Sequence, residues 1–289
     1  MSDTLTLGQT PEEVKDAQPG DLRLWSVTTV IGALDKPALV YWSAEETAKA
    51  AVAAANSLPT RIAEDGEEET VKWLTGARFR RPRGQRTAAE LGTSVHAACE
   101  EYALSGIRPE VDAEVLPFLD QFDRWLDQAQ PSYQATEVCV YHPGYGYAGQ
   151  ADAFLTIDGV RFLTDYKTSR TSFDKRGHAR KPYPESVALQ LAAYRYAEMA
   201  AVWRPRRMEQ MRRRYYLLSE AERAQAVPVP DVDAGLVIQI TPEFCTAYPV
   251  TISEPVFEAF LHVQESARWV NETSKKVMGQ PLEFEGNNA

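Results

Sequence analysis

The stretch YAGQADAFLTIDGVRFLTDYKT, residues 147 to 168, constrains the fold more than any other part of the chain. Two runs rich in apolar and β-branched residues meet at Asp158-Gly159. Asp-Gly between such runs is the signature of a two-residue type I′ hairpin, because both turn positions need a positive φ. A turn of that length fixes the register, so Ile157 faces Val160 and, counting outwards, Asp152 faces Asp165. Lys167 lies two residues beyond Asp165 and shares its face, since strand side chains alternate. Opposed side chains stand about 4.5 to 5.5 Å apart at Cβ, and like charges there are destabilising. The pair therefore needs a positive partner. A hard divalent cation meets that need, because Mg²⁺ takes carboxylate oxygens with water or phosphate oxygens completing its shell. The Lys167 ammonium meets it equally, and exposure of Asp165 at a strand end would remove it. A β-bulge near Asp152 would shift the register by one.

Around this hairpin the pattern predicts a mixed α/β chain. Residues 1 to 22 read as a flexible polar tail, with Pro11, Pro19 and Gly20 and no apolar period. One domain is expected over 23 to 285, with a helical region at 23 to 86 and the sheet-bearing core at 87 to 285. Helices are expected at 37 to 56, around Trp73, at 87 to 106 and at 112 to 128. In the third of these, Thr87 and Glu90 have capping-box spacing and Gly106 suits a C-terminal stop. Strands follow at 133 to 142, 147 to 157 and 160 to 168, then a helix from 185 to 203. RRYYLLS and GLVIQI read as further strands, before a last helix from 254 to 278.

The net charge is −10, which argues against a polyanionic partner until its distribution is considered. Three stretches, 78 to 86, 167 to 181 and 203 to 216, hold 17 of the 31 Lys and Arg but only two acids, Asp174 and Glu209. Such a distribution suits either a track for a phosphate backbone or a solvated face. Arg83, Arg86 and Arg170 are the candidate DNA contacts in it. The three cysteines, Cys99, Cys139 and Cys245, are dispersed without a CxxC pair, which suggests free thiols in a reducing compartment. No signal peptide and no run of about 18 apolar residues is evident, so no membrane partner is expected.

Three elements together resemble the PD-(D/E)XK nuclease superfamily, in the RecB-type branch that includes RecB nuclease domains, CRISPR-associated exonucleases and related phage exonucleases. They are Gly92 and His96 in LGTSVHAAC, Asp152 with Asp165-Tyr166-Lys167, and Gln190 and Tyr194 in LQLAAY. They occur in the expected order and span 92 to 194. The stretch 26 to 48 also looks like the N-terminal region of phage-encoded members. On its own His96 could instead pair with Glu100 one turn on, or be a buried hydrogen-bonded histidine. Gln190 and Tyr194, also one turn apart, could be core.

The resemblance implies a restriction-endonuclease-like core, a central mixed β-sheet flanked by helices with an added N-terminal helical region. It implies a metal site made by His96, Asp152, Asp165 and the backbone carbonyl of Tyr166, taking Mg²⁺ or Mn²⁺. Asp152, Asp165 and Lys167 would be catalytic, and Gln190 and Tyr194 would contact DNA. Beside these, Glu137 on the preceding strand reads as an acid that supports the site from behind or serves a second metal, and Glu100 as a further supporting acid. The iron-sulfur members need four cysteines, so no cluster is expected. The expected activity is a metal-dependent DNA exonuclease in recombination, repair or phage DNA metabolism, in the cytoplasm of a bacterium or a phage-infected host. Its partner would be double- or single-stranded DNA, with a recombinase or helicase as a further partner; the sequence is compatible with a monomer or a homo-oligomer. An endonuclease of the same fold and a non-catalytic DNA-binding or assembly module are the alternatives, and RNA is not excluded by charge or motif.

Overall fold

The structure, a computed structural model, describes residues 5–6, 13–14, 16–34, 37–79, 86–169, 181–182, 184–201, 206–208 and 214–281. Strands β1 (Leu5–Thr6), β2 (Glu13–Val14) and β3 (Leu22–Ser26) come first. Helices α1 (Val27–Ile31), α2 (Pro37–Ala53), α3 (Leu58–Asp65), α4 (Glu67–Thr75), α5 (Ala88–Ser105) and α6 (Leu116–Ala129) follow. Next are β4 (Ser132–His142), β5 (Tyr147–Ile157), β6 (Val160–Thr168), α7 (Pro184–Arg195), β7 (Met199–Ala200), β8 (Arg206–Met208) and β9 (Tyr215–Leu218). The chain continues through α8 (Glu220–Gln225), β10 (Val227–Pro228), β11 (Ala234–Ile240), β12 (Cys245–Val250) and α9 (Glu254–Arg268).

By its contacts the chain divides into two compact units, one made of Met1–Ala33 with Ser94–Ala289 and the other of Leu34–Thr93. The second holds α2, α3 and α4. Gly66, at φ 83°, separates α3 from α4, and Glu67, Glu68 and Glu69 occupy the first turn of α4, where the helix dipole favours anions. Arg61 bonds Asp65 at 2.8 Å and lies 4.4 Å above the Trp73 ring.

The first unit is organised by the sheet. Asp158 at φ 50° and Gly159 at φ 81° make the tight turn the dipeptide predicts. The β5/β6 ladder runs from Ile157↔Val160 to Ala153↔Thr164, the register counted from the sequence. β5 is long enough to serve two neighbours along one edge: Tyr147 and Ala148 pair in parallel with Trp25 and Ser26 of β3, and Ala153 to Ile157 pair with β6. Residues 149 to 152 lie between, at a fork. On the other edge β5 pairs along its length with β4. Beyond β6 come β11, in parallel, and β12, antiparallel, so the sheet is mixed.

Helices cover both faces. Neighbouring residues of β6 point to opposite sides, and Tyr166 meets the edge of Phe122 on α6 at 5.8 Å between centroids, whereas Asp165 bonds Gln190 on α7. Outside α7, α9 places Phe260 against Tyr147 at 5.0 Å and stacks Phe257 on Tyr196 at 4.9 Å. Phe154, Leu155, Leu163, Leu191 and Phe260 are fully buried in this core.

The predicted capping box of α5 is present, with Thr87 N–H donating to Glu90 Oε2 at 2.7 Å and Glu90 N–H to Thr87 Oγ1 at 3.1 Å. Other expected boundaries move. α7 ends at Arg195 rather than 203, because Met199 and Ala200 leave the helix to pair with Tyr141 and Val140 of β4. α9 gives way at Trp269 to one looser turn, where the Asn271 side chain donates to the Ala267 carbonyl at 2.8 Å. β12 was not expected, since Pro249 interrupts its pattern; pairing on one side only, with β11, makes that proline tolerable.

Tyr133 and Tyr166 share a hydroxyl–hydroxyl bond of 2.9 Å in the interior. Tyr133→Phe strands the buried Tyr166 hydroxyl and is expected to cost about 1–3 kcal/mol in urea unfolding. The double variant with Tyr166→Phe should recover part of that loss; a double variant less stable than the single one would contradict this account of the pair.

Candidate active site

The fork in β5 brings together side chains from four elements, β5, β6, α5 and α7. Asp165 is 2% exposed, yet its carboxylate is surrounded by donors. Lys167 Nζ lies 2.8 Å from Oδ1 and 2.5 Å from Oδ2, and Gln190 Nε2 donates to Oδ1 at 2.8 Å. Asp152 does not continue the ladder with Asp165. Its Oδ2 instead accepts the Tyr166 N–H at 2.6 Å, so the side chain takes the place of a strand partner where β6 splays away. The same oxygen stands 4.0 Å from His96 Nδ1 on α5. The His96 ring meets the Tyr166 ring edge-on at 5.9 Å.

Electrostatics follow from burial and proximity. Burial pushes the Asp165 carboxyl up to about 6; the Lys167 ammonium opposes that rise and the Asp152 carboxylate adds to it. Burial alone would lower Lys167, but the Asp165 and Asp152 carboxylates outweigh it and hold the ammonium above its usual range. Of the three resolutions open to the acids from sequence, a cation, Lys167 or exposure of Asp165, exposure is thus removed and Lys167 is in contact.

α7 is fastened to this cluster. Gln190 Nε2 also donates to the Tyr194 hydroxyl at 3.2 Å. The Tyr194 ring is buried against Gly149, where an added Cβ would lie 2.2 Å from Cε1 and 2.9 Å from Cζ. Gly149 is required by this close approach of ring to strand. Gln190 and Tyr194 thus reach Asp165 and the backbone of β5. Tyr166 is tied to the cluster through its amide, which donates to Asp152.

Glu137, on β4, has φ 52° and accepts a hydrogen bond from Gln150 Nε2. Glu100 is half-buried one turn beyond His96. Arg86 belongs to the second unit, whereas Arg83 and Arg170, with most of the three arginine stretches, lie outside the described residues. Cys99 and Cys139 are buried free thiols and Cys245 is a half-buried one. Gly149 and Gln150 were not singled out from sequence. A glycine inside a strand does signal close backbone approach, so Gly149 carried a readable clue; Gln150 carried none.

Among the described residues no three His, Cys, Asp or Glu side chains converge on one point as they stand. The donor set nevertheless fits a hard divalent cation. Among the described residues Asp165 Oδ2 is buried without a regular hydrogen bond and lies 2.5 Å from the Lys167 ammonium. Asp152 and His96, 4.0 Å apart, add an oxygen and an imidazole nitrogen, donors that Mg²⁺ or Mn²⁺ accept. No described helix is long and apolar enough to cross a membrane.

No family model matches the chain, and no curated protein matches it. The solved structure of SSO0001 is similar over 74% of this chain and 71% of that one, at 14% identity and a TM-score of 0.31.

Proposed function

We propose that the chain is a metal-dependent deoxyribonuclease that degrades DNA from its ends, on a restriction-endonuclease-like core with an added helical region. The observation that carries this proposal is the convergence of Asp152, Asp165, Lys167 and Gln190 at the fork of the sheet, with His96 facing Asp152. Buried carboxylates beside an ammonium are costly unless held for a purpose.

Asp152, Asp165 and His96 would hold Mg²⁺ or Mn²⁺, which supplies charge neutralisation at a phosphate and a more acidic bound water. Asp165 has the oxygen to offer, Oδ2. Gln190 fixes the other oxygen and so sets the plane of the carboxylate. Tyr166 N–H does the same for Asp152. Lys167, 37% exposed at its side chain, can release Asp165 and turn its three N–H donors to a phosphate oxygen or to the attacking water. The arginine-rich stretches would follow the nucleic-acid backbone, and a recombinase or helicase would be the further protein partner.

Mode is tested by substrate topology. Linear duplex should be degraded in Mg²⁺ or Mn²⁺ and spared in chelator, and a covalently closed circle should survive. Efficient cutting of the circle would make the enzyme an endonuclease. A second reading, a non-catalytic DNA-binding module, draws on the contact in which Lys167 already neutralises Asp165. It predicts DNA binding without any metal-dependent loss of a labelled end.

A further inference from the structure

Among the described strands Asp152 has no ladder partner on either side of β5. On the β6 side the ladder stops at Ala153↔Thr164. On the β4 side Thr136↔Ala153 and Val138↔Ala151 keep one register, yet the intervening Glu137 and Asp152 are not ladder partners of each other. The break coincides with Glu137 at φ 52°, a left-handed conformation that a glutamate adopts only when its surroundings hold it there. One contact at this glutamate comes from Gln150, two residues before Asp152 on β5, which donates its side-chain amide to the Glu137 carboxylate. Gln150 itself stays in the ladder opposite Cys139.

We propose that Glu137 and Gln150 form a clamp between β4 and β5 that keeps Asp152 out of the ladder and its carboxylate on the Tyr166 amide. The clamp makes Glu137 and Gln150 positioning residues. It rests on the nuclease assignment for its purpose, but the geometry it maintains can be measured without DNA or metal. Strain of this kind concentrates where a side chain must be held in a working position. Groups that orient a ligating carboxylate typically matter to function nearly as much as the carboxylate itself.

The test uses the full chain and three variants. The first readout is hydrogen exchange of the Tyr166 amide in metal-free protein. In Gln150→Ala and Glu137→Gly this amide should exchange about tenfold faster, because its bond to a charged acceptor is loosened. Glu137→Gln keeps an acceptor for Gln150, so its exchange should stay within about twofold of the parent. The second readout splits kinetics: kcat should fall about 10- to 100-fold in Gln150→Ala and Glu137→Gly with KM for DNA little changed, and Glu137→Gln should recover most of it. Unchanged Tyr166 exchange in folded Gln150→Ala and Glu137→Gly overturns the clamp even if the parent degrades DNA. Faster exchange in a parent series that cleaves no DNA upholds the clamp and overturns the nuclease assignment instead.

Discussion

Lys167→Ala is expected to lower metal-dependent DNA cleavage by about 100- to 1,000-fold, the usual cost of removing one donor aimed at developing negative charge. Asp165→Ala should reduce it to background, since it removes the buried carboxylate on which Lys167 and Gln190 converge. The two variants should differ in stability in the opposite sense. Removing Lys167 leaves a carboxylate that is 2% exposed without its cation, a change that can cost several kcal/mol for a fully buried pair. Here the cost should be about 1–3 kcal/mol, because the lysine is itself part-exposed and Asp165 can take up a proton. Removing Asp165 leaves an ammonium that can turn to water, at little cost. Urea unfolding of both variants beside single-turnover cleavage checks the pairing. Equal destabilisation with full activity in either variant would disprove the assigned roles.

Gly149→Ala should be the most damaging single-methyl change near the site. Its Cβ would overlap the Tyr194 ring, which is buried and cannot swing away as an exposed side chain would. Overpacking of this kind costs about 1–3 kcal/mol. For a chain of this size each kcal/mol lowers the thermal midpoint by roughly 2–4 °C. Displacing Tyr194 also disturbs Gln190, which shares its amide between the tyrosine hydroxyl and Asp165, so activity should fall with stability. Adding Tyr194→Leu makes room for the methyl, and the pair should be less destabilised than the sum of the two singles. Additive losses would place the strain elsewhere.

What was legible in the sequence is what local chemistry decides. Asp158-Gly159 sets its own backbone angles, and from them the register of β6 on β5 follows by counting. The capping box of α5 is equally local. The proximity of His96 to Asp152 could not be counted, because it joins α5 to β5 across 56 residues of chain; only the resemblance anticipated it. The fork was hidden as well. It arises because β5 serves β3 and β6 in turn, and β3 is a short segment whose pairing is set by tertiary context. Glu137 was read as a supporting acid from its place on a strand, but nothing local announces a glutamate at positive φ. The end of α7 was missed for a related reason: its helical pattern continues, and pairing of Met199 and Ala200 with β4 overrides it.

The measurement that tests the central claim most directly is release of label from 5′- and 3′-labelled single- and double-stranded DNA by the purified chain, in Mg²⁺ or Mn²⁺ and in chelator, beside Asp152→Ala and Asp165→Ala. The account predicts metal-dependent release by the parent, none in chelator, and none by either variant. Folded parent protein that leaves every labelled end intact in both metals, or cleavage that persists in both variants, would contradict it.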